Sequence, residues 1–251
     1  QSLLRMEFDD MFNDVITAKQ KFTAKVLRTF VDGPKSGAEA AKVLGVDTGG
    51  DLSLALSILQ ESGFLAEECS RNPETGEPAR ERRYRLRDNY TRFYLKYIEP
   101  VKDIIDTGSF EFSSISEFVD MDSVMGLAFE NLVVNNYREL IPHLHLQGSA
   151  IMSAAPYRRR GTKGPRGRKG CQIDLLIQTK RTLFVVEIKR KHEIDASVIE
   201  EVLTKVKRLR RKSDYSVRTA LVYCGNLSKQ VEAEGYFDKI VDAKDLLELR
   251  S

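Results

Sequence analysis

The stretch CQIDLLIQTKRTLFVVEIKRK, residues 171–191, decides how this chain is read. Two apolar runs, QIDLLIQ and TLFVVEIKR, flank a short polar segment, and their β-branched content reads as two strands of a hairpin. Asp174, Glu187 and Lys189 interrupt the pattern. If Lys180-Arg181 form a two-residue turn, Thr179 pairs with Thr182, and counting back sets Asp174 opposite Glu187. The β-carbons of such a pair lie about 4.5–5.5 Å apart. Lys189 is two residues beyond Glu187 and shares its face. Val186 and Ile188 then point the other way, into the core, as do Ile173 and Leu175. A one-residue slip would bury the acids and expose the apolar set, so the patterning favours this register.

Two carboxylates this close repel one another and need compensation. A divalent cation supplies it, because Mg²⁺ is typically held by one or two carboxylates, with water and substrate phosphate completing its shell. A neighbouring lysine can then stabilise negative charge that develops on a phosphodiester. The alternative is a solvated strand face carrying a Glu–Lys–Asp cluster. Spacing alone leaves both readings open.

Working outward, the stretch before the hairpin, YRRRGTKGPRGRKG, reads as a basic loop. It carries Arg158, Arg159, Arg160, Lys163, Arg166, Arg168 and Lys169 without an acid, and it leads directly into the Asp174 strand. A second cluster, KVKRLRRK at 205–212, closes the following helix. Both suit a phosphate backbone, where each neutralised phosphate releases counterions. A surface loop and a helix end favoured by its dipole are the plainer alternatives. His143 and His145 lie two apart and lack a third ligand.

From about 123 the predicted order is a helix over MGLAFENLVVNNYREL, with Leu127, Leu132, Val133 and Tyr137 on or near one face. A strand at HLQGSAIMSA, the hairpin, a helix near 196–211, a strand at SVRTALVYCG, a short helix, a strand at DKIV and a last helix follow. This is an α/β (α+β) domain with a mixed sheet flanked by helices. The N-terminal part differs. Helices over 3–31, GAEAAKVLG and DLSLALSILQESG precede two strands, FLAEECS and RERRYRLRD, the order of a winged helix-turn-helix. A helix over 89–106 closes that unit, with Tyr90, Phe93, Tyr94 and Tyr97 at core-packing spacing. The expected domains are 1–106, a linker at 107–122, and 123–251. The third helix carries no Lys or Arg, whereas the wing gathers Arg71, Arg80, Arg82, Arg83, Arg85 and Arg87. Any DNA contact of this unit is therefore expected through the wing, with Arg82 and Arg83 as candidates.

The 251 residues are 41% apolar and 31% charged, with a net charge of +3. That composition is globular, and no apolar run approaches the ~18 residues that span a bilayer. Cys69, Cys171 and Cys224 are too few and too far apart for a zinc or disulfide framework, and they point to a reducing, cytoplasmic setting. The chain opens without Met and within a helical pattern, as a piece of a longer protein would.

Asp174 followed, after a hairpin, by Glu187-Ile188-Lys189 resembles the signature of PD-(D/E)xK nucleases. The resemblance covers about 123–251 and implies a restriction-endonuclease-like core and Mg²⁺ (or Mn²⁺) as cofactor. It further implies DNA as substrate and an additional metal-binding acid on the first helix, where Glu130 stands in GLAFENLV. The chain departs from the pattern at Ile173, where the family often has Pro. With RLRDNYTRFYLKYIEP between winged helix and nuclease-like unit, the whole is similar to the C-terminal half of archaeal and bacterial AAA- or STAND-type ATPases. That implies an ATPase module preceding this region as a partner. No GxxxxGK[ST] occurs here, and Gly33-Pro34-Lys35-Ser36 reads as a helix stop and cap. A non-catalytic regulatory or binding module is the alternative function, and homo-oligomerisation is left open.

Overall fold

The structure is a computed structural model that describes residues 20–79, 81–107, 119–162, 164, 167 and 169–246. Its described residues fall into two compact units. One draws on Gln1–Glu68 and Arg80–Val124, the other on Cys69–Ala79 and Met125–Ser251. The chain is α+β, with an antiparallel three-stranded sheet in the first unit and a mixed five-stranded sheet in the second. No helix among the described residues is long and apolar enough to cross a membrane.

In the first unit, α1 (Gln20–Arg28), α2 (Gly37–Leu44) and α3 (Gly50–Glu61) precede the wing strands β2 (Leu65–Glu68) and β3 (Arg83–Leu86). The small strand β1 (Lys35–Ser36) adds to the wing on the β3 edge. Ser36 also starts α2: its hydroxyl accepts from Glu39 N, and the Glu39 carboxylate accepts from Ser36 N, a capping box. Leu52, Leu56 and Leu59 of α3 pack with Val26, Leu27, Phe30, Leu65 and Leu86 in one core. The outward side of α3 bears Leu54 and a Ser57–Glu61 hydrogen bond.

The single helix expected over 89–106 is broken into pieces. α4 (Asn89–Phe93) passes into a π-helical turn at Tyr94–Ile98, then a 3₁₀ turn at Glu99–Val101, then α5 (Lys102–Asp106). Pro100 lacks an amide donor and favours the tighter turn. Tyr94 is buried in the core and Tyr90 packs against it, so the aromatic stripe serves packing.

In the second unit, α6 (Met121–Asn135) and α7 (Leu140–His143) lead to the sheet β4 (Ser153–Arg159), β5 (Cys171–Gln178), β6 (Thr182–Ile194), β7 (Ser216–Leu227) and β8 (Lys239–Asp242). The strands lie in that order, antiparallel from β4 to β6 and parallel from β6 to β8. α8 (Ser197–Arg208) crosses from β6 to β7 and α9 (Lys229–Ala233) from β7 to β8. Both sheet faces are covered. Leu183, Val185 and Leu221 meet Val198, Ile199 and Val202 of α8 on one side. Leu175, Ile177, Val186 and Ile188 meet Val133, Val134 and Leu140 on the other.

Several expectations need correction. Leu127 and Leu132 are exposed, while Val133 is buried as expected, together with Asn131 and Val134. HLQGSAIMSA is not a strand: β4 begins at Ser153, His143 ends α7, and His145 has a left-handed backbone (φ 54°). The basic stretch is not all loop, since Tyr157, Arg158 and Arg159 complete β4. Lys163, Arg166 and Arg168 lie outside the described residues, as do residues 1–19, Arg80 and most of the expected linker.

Candidate active site

The hairpin has the expected register. Thr179 N donates to Thr182 O at 2.9 Å, and the ladder runs from Gln178↔Leu183 to Leu175↔Val186. There it stops. On the other edge of β5, Ala155 pairs with Leu176 but Tyr157 with Ile173, so Pro156 alone faces Asp174 and Leu175. This is a β-bulge, and Pro156 brings no amide donor that the bulge would strand. The bulge resets the alternation, so Ile173 and Leu176 both face α8. Ile173 therefore does not share a face with Leu175, as strict alternation predicted. Asp174, released from the ladder, accepts the Ile188 amide through Oδ2 at 3.0 Å.

Asp174 and Glu187 meet beneath α8 rather than on an open strand face, which removes the solvated-face reading. Glu187 is fully buried and Asp174 nearly so. Two lysines answer them. Lys189 Nζ donates to Glu201 Oε2 at 2.6 Å and lies 3.0 Å from Glu187 Oε1. Lys205 Nζ sits between the two acids, 2.5 Å from Glu187 Oε2 and 3.4 Å from Asp174 Oδ1. Glu187 Oε1 is close enough to Lys189 for an ion pair but has no aligned hydrogen-bond donor.

Burial, and then the Asp174 charge, push the Glu187 carboxyl above the ordinary glutamate range, although both lysines oppose this. Burial pulls the Lys189 ammonium down, but the Glu201 hydrogen bond and the Glu187 charge outweigh it and its pKa is raised. Lys205 behaves alike: desolvation is overcome by Asp174 and Glu187. Burial pushes the Glu201 carboxyl up, but the Lys189 hydrogen bond together with the charges of Lys189, Lys191 and Lys205 outweighs it and holds the group below its ordinary range. Both lysines therefore stay cationic at neutral pH.

Three of the sequence candidates, Asp174, Glu187 and Lys189, are thus brought together. Glu130 sits half-buried on α6, whose Val133 and Val134 join the sheet face away from α8. Among the described residues no group of three or more His, Cys, Asp or Glu side chains is placed to hold a metal, so Glu130 does not complete a three-donor set. Glu201 and Lys205 were missed. The sequence sets Lys205 in a basic run suited to phosphate, yet it falls seven residues after Val198 and three after Val202, on the buried stripe of α8. A lysine at that position is the signal that could have found it.

The basic residues divide by role. Arg159 donates to Lys169 O at 3.2 Å and to Arg208 O at 3.0 Å, which ties the neck of the loop to the end of α8. Arg159 is therefore a structural tie. Arg160 and Lys169 lie at the loop's two ends and Lys169 is exposed. In the wing, Arg83 is bound to Pro34 O and Glu39, both at 2.9 Å, while Arg82 is largely exposed with Glu67 3.5 Å away.

A divalent cation suits this donor set. Two carboxylates converge, one oxygen of a fully buried acid lacks an aligned donor, and Mg²⁺ needs no more than one or two protein carboxylates.

No protein-family model matches this chain, and no curated protein matches it. Among solved structures, protein VC1899 from Vibrio cholerae is similar at 13% identity and a TM-score of 0.36. The match covers 90% of this chain and 49% of that one, so this chain spans about half its length. Likeness at that level carries no argument for the site.

Proposed function

We propose that the second unit is a Mg²⁺- or Mn²⁺-dependent nuclease-like domain of the PD-(D/E)xK kind that hydrolyses phosphodiester bonds of DNA. One observation carries the reading. The hairpin, opened by a bulge at Asp174, gathers Asp174, Glu187 and Lys189 under α8, where burial makes paired carboxylates costly unless a cation serves them. Asp174 and Glu187 would hold the metal, which supplies phosphoryl polarisation and an acidified water. Lys189, pinned by Glu201 and kept protonated, acts by charge: it stabilises negative charge on the phosphoryl oxygens and is no base. Arg158 at the end of β4, Arg160 just after it and Lys169 just before β5 flank the basic loop and are assigned to the nucleic-acid backbone. An ATPase module as partner is proposed on the sequence resemblance alone.

One observation favours a second reading. Lys205, with Lys189, already compensates the acid pair, as it would in a non-catalytic ion cluster that only holds α8 on the sheet. Incubation of the chain with end-labelled DNA in Mg²⁺ or Mn²⁺ separates the two. The nuclease reading expects cleavage that EDTA abolishes and that Asp174→Ala, Glu187→Ala and Lys189→Ala each remove. Cleavage that survives EDTA, or full activity of Lys189→Ala, would overturn it.

A further inference from the structure

The Lys205 ammonium occupies the seat that lies between Asp174 Oδ1 and Glu187 Oε2. We infer that Lys205 is the resident cation of this seat, and that a divalent ion enters only by displacing it. The inference rests on the metal-dependent reading above and adds to it a residue with a defined competing role.

Geometry and charge support it. The site contains three carboxylates, Asp174, Glu187 and Glu201, and two ammonium groups, Lys189 and Lys205. The cluster thus carries one net negative charge. A divalent ion added beside Lys205 would set two cations against one pair of oxygens. Exchanged for Lys205, it brings the cluster to neutrality. The two lysines are not equivalent in this exchange. Lys189 has its own carboxylate in Glu201, only 2.6 Å away, and keeps a partner whatever enters the seat. Among the described residues Lys205 lies within ion-pair distance only of the two acids that would bind the metal, and Glu201 acts on it only through longer-range charge. Its side chain also keeps some solvent contact, whereas Glu187 has none, so the lysine is the part of the seat able to leave. It sits one turn before the end of α8, and a swing of its flexible stem carries the ammonium toward solvent, where a phosphate would approach.

The test is Mn²⁺ binding, measured by the paramagnetic resonance of free Mn²⁺, without reference to cleavage. Five proteins are compared: the natural chain, Lys205→Met, Lys205→Arg, Asp174→Asn, and Lys205→Met combined with Asp174→Asn. Removing a unit charge that competes for the same oxygens is expected to tighten Mn²⁺ binding by about tenfold or more in Lys205→Met. Lys205→Arg keeps the charge and is expected to bind no tighter than the natural chain. Adding Asp174→Asn should abolish the gain. If Lys205→Met binds Mn²⁺ as the natural chain does, or more weakly, while Asp174→Asn alone weakens binding, the metal uses Asp174 without displacing Lys205. The inference then falls and the metal-dependent reading stands. If no protein of the set binds Mn²⁺, that reading falls and takes the inference with it. Should Lys205→Met fail to fold, the ammonium resonance of Lys205 in the natural chain decides the matter. A shift to a solvent-exposed position on Mg²⁺ addition supports displacement, and an unchanged resonance at saturating Mg²⁺ overturns it.

Discussion

Lys205→Met, without metal, is expected to destabilise the second unit by about 3 kcal/mol at neutral pH. Removing one partner of a buried ion pair costs about 3–5 kcal/mol, because a buried charge is left uncompensated. The low end applies here, since the Lys205 side chain is partly exposed and Lys189 still lies 3.0 Å from the other Glu187 oxygen. Glu187→Gln alone leaves Lys205 beside Asp174 with access to water, a loss of about 1–2 kcal/mol. The double variant should be little worse than Glu187→Gln, giving a coupling of about 2 kcal/mol between the two sites. The deficit should also depend on pH. Burial and Asp174 already raise the Glu187 pKa, and loss of the Lys205 cation, which lowers it, raises it further. In the variant the folded state therefore binds a proton more readily than the unfolded state. Stability conferred by that proton is present at low pH and is lost as pH rises through the folded pKa. The Lys205→Met deficit should thus shrink as pH falls from about 8 to about 5. Urea titrations of the four proteins, read by exchange of β6 amides so that the second unit is seen alone, measure both effects. A deficit equal at both pH values together with additive single substitutions would show that Lys205 contributes packing and not charge.

Gly225→Ala should cost more than about 3 kcal/mol in the same titration, because a β-carbon there would lie 1.8 Å from Lys191 O at a backbone φ of +135°. Arg159→Ala removes two bonds to carbonyls, costs about 1–3 kcal/mol and should speed proteolysis within 160–170. Replacing Arg158, Arg160 and Lys169 with Glu should weaken DNA binding and flatten its salt dependence by about 0.9 in log–log slope per lost phosphate contact, as fluorescence anisotropy would record. Ser53→Ala with Ser57→Ala should leave that affinity unchanged, since α3 offers no cation, and a loss there would assign sequence reading to α3.

The hairpin was legible because two apolar runs flank a short polar segment whose two-residue turn fixes one register. The bulge was not, since it depends on Pro156 in a different strand, which local patterning does not connect to Asp174. Burial of the site was missed for a related reason. Strands covered on both faces lose the alternation that separates a core side from a solvent side, and α8 closes over the acids from a distance in sequence. On α6, Leu127 and Leu132 looked like the core face because the helix is apolar nearly all round, so composition could not choose among faces. The π-helical turn at Tyr94–Ile98 keeps right-handed helical spacing and leaves no mark in the pattern.

Anomalous diffraction from crystals grown in Mn²⁺ tests the assignment of the site most directly. The expected result is a single strong peak between Asp174 and Glu187, within roughly 2.0–2.6 Å of an oxygen of each, with the Lys205 ammonium withdrawn and Lys189 still bound to Glu201. Saturating Mn²⁺ with no peak between the two carboxylates, and Lys205 still seated there, would contradict it.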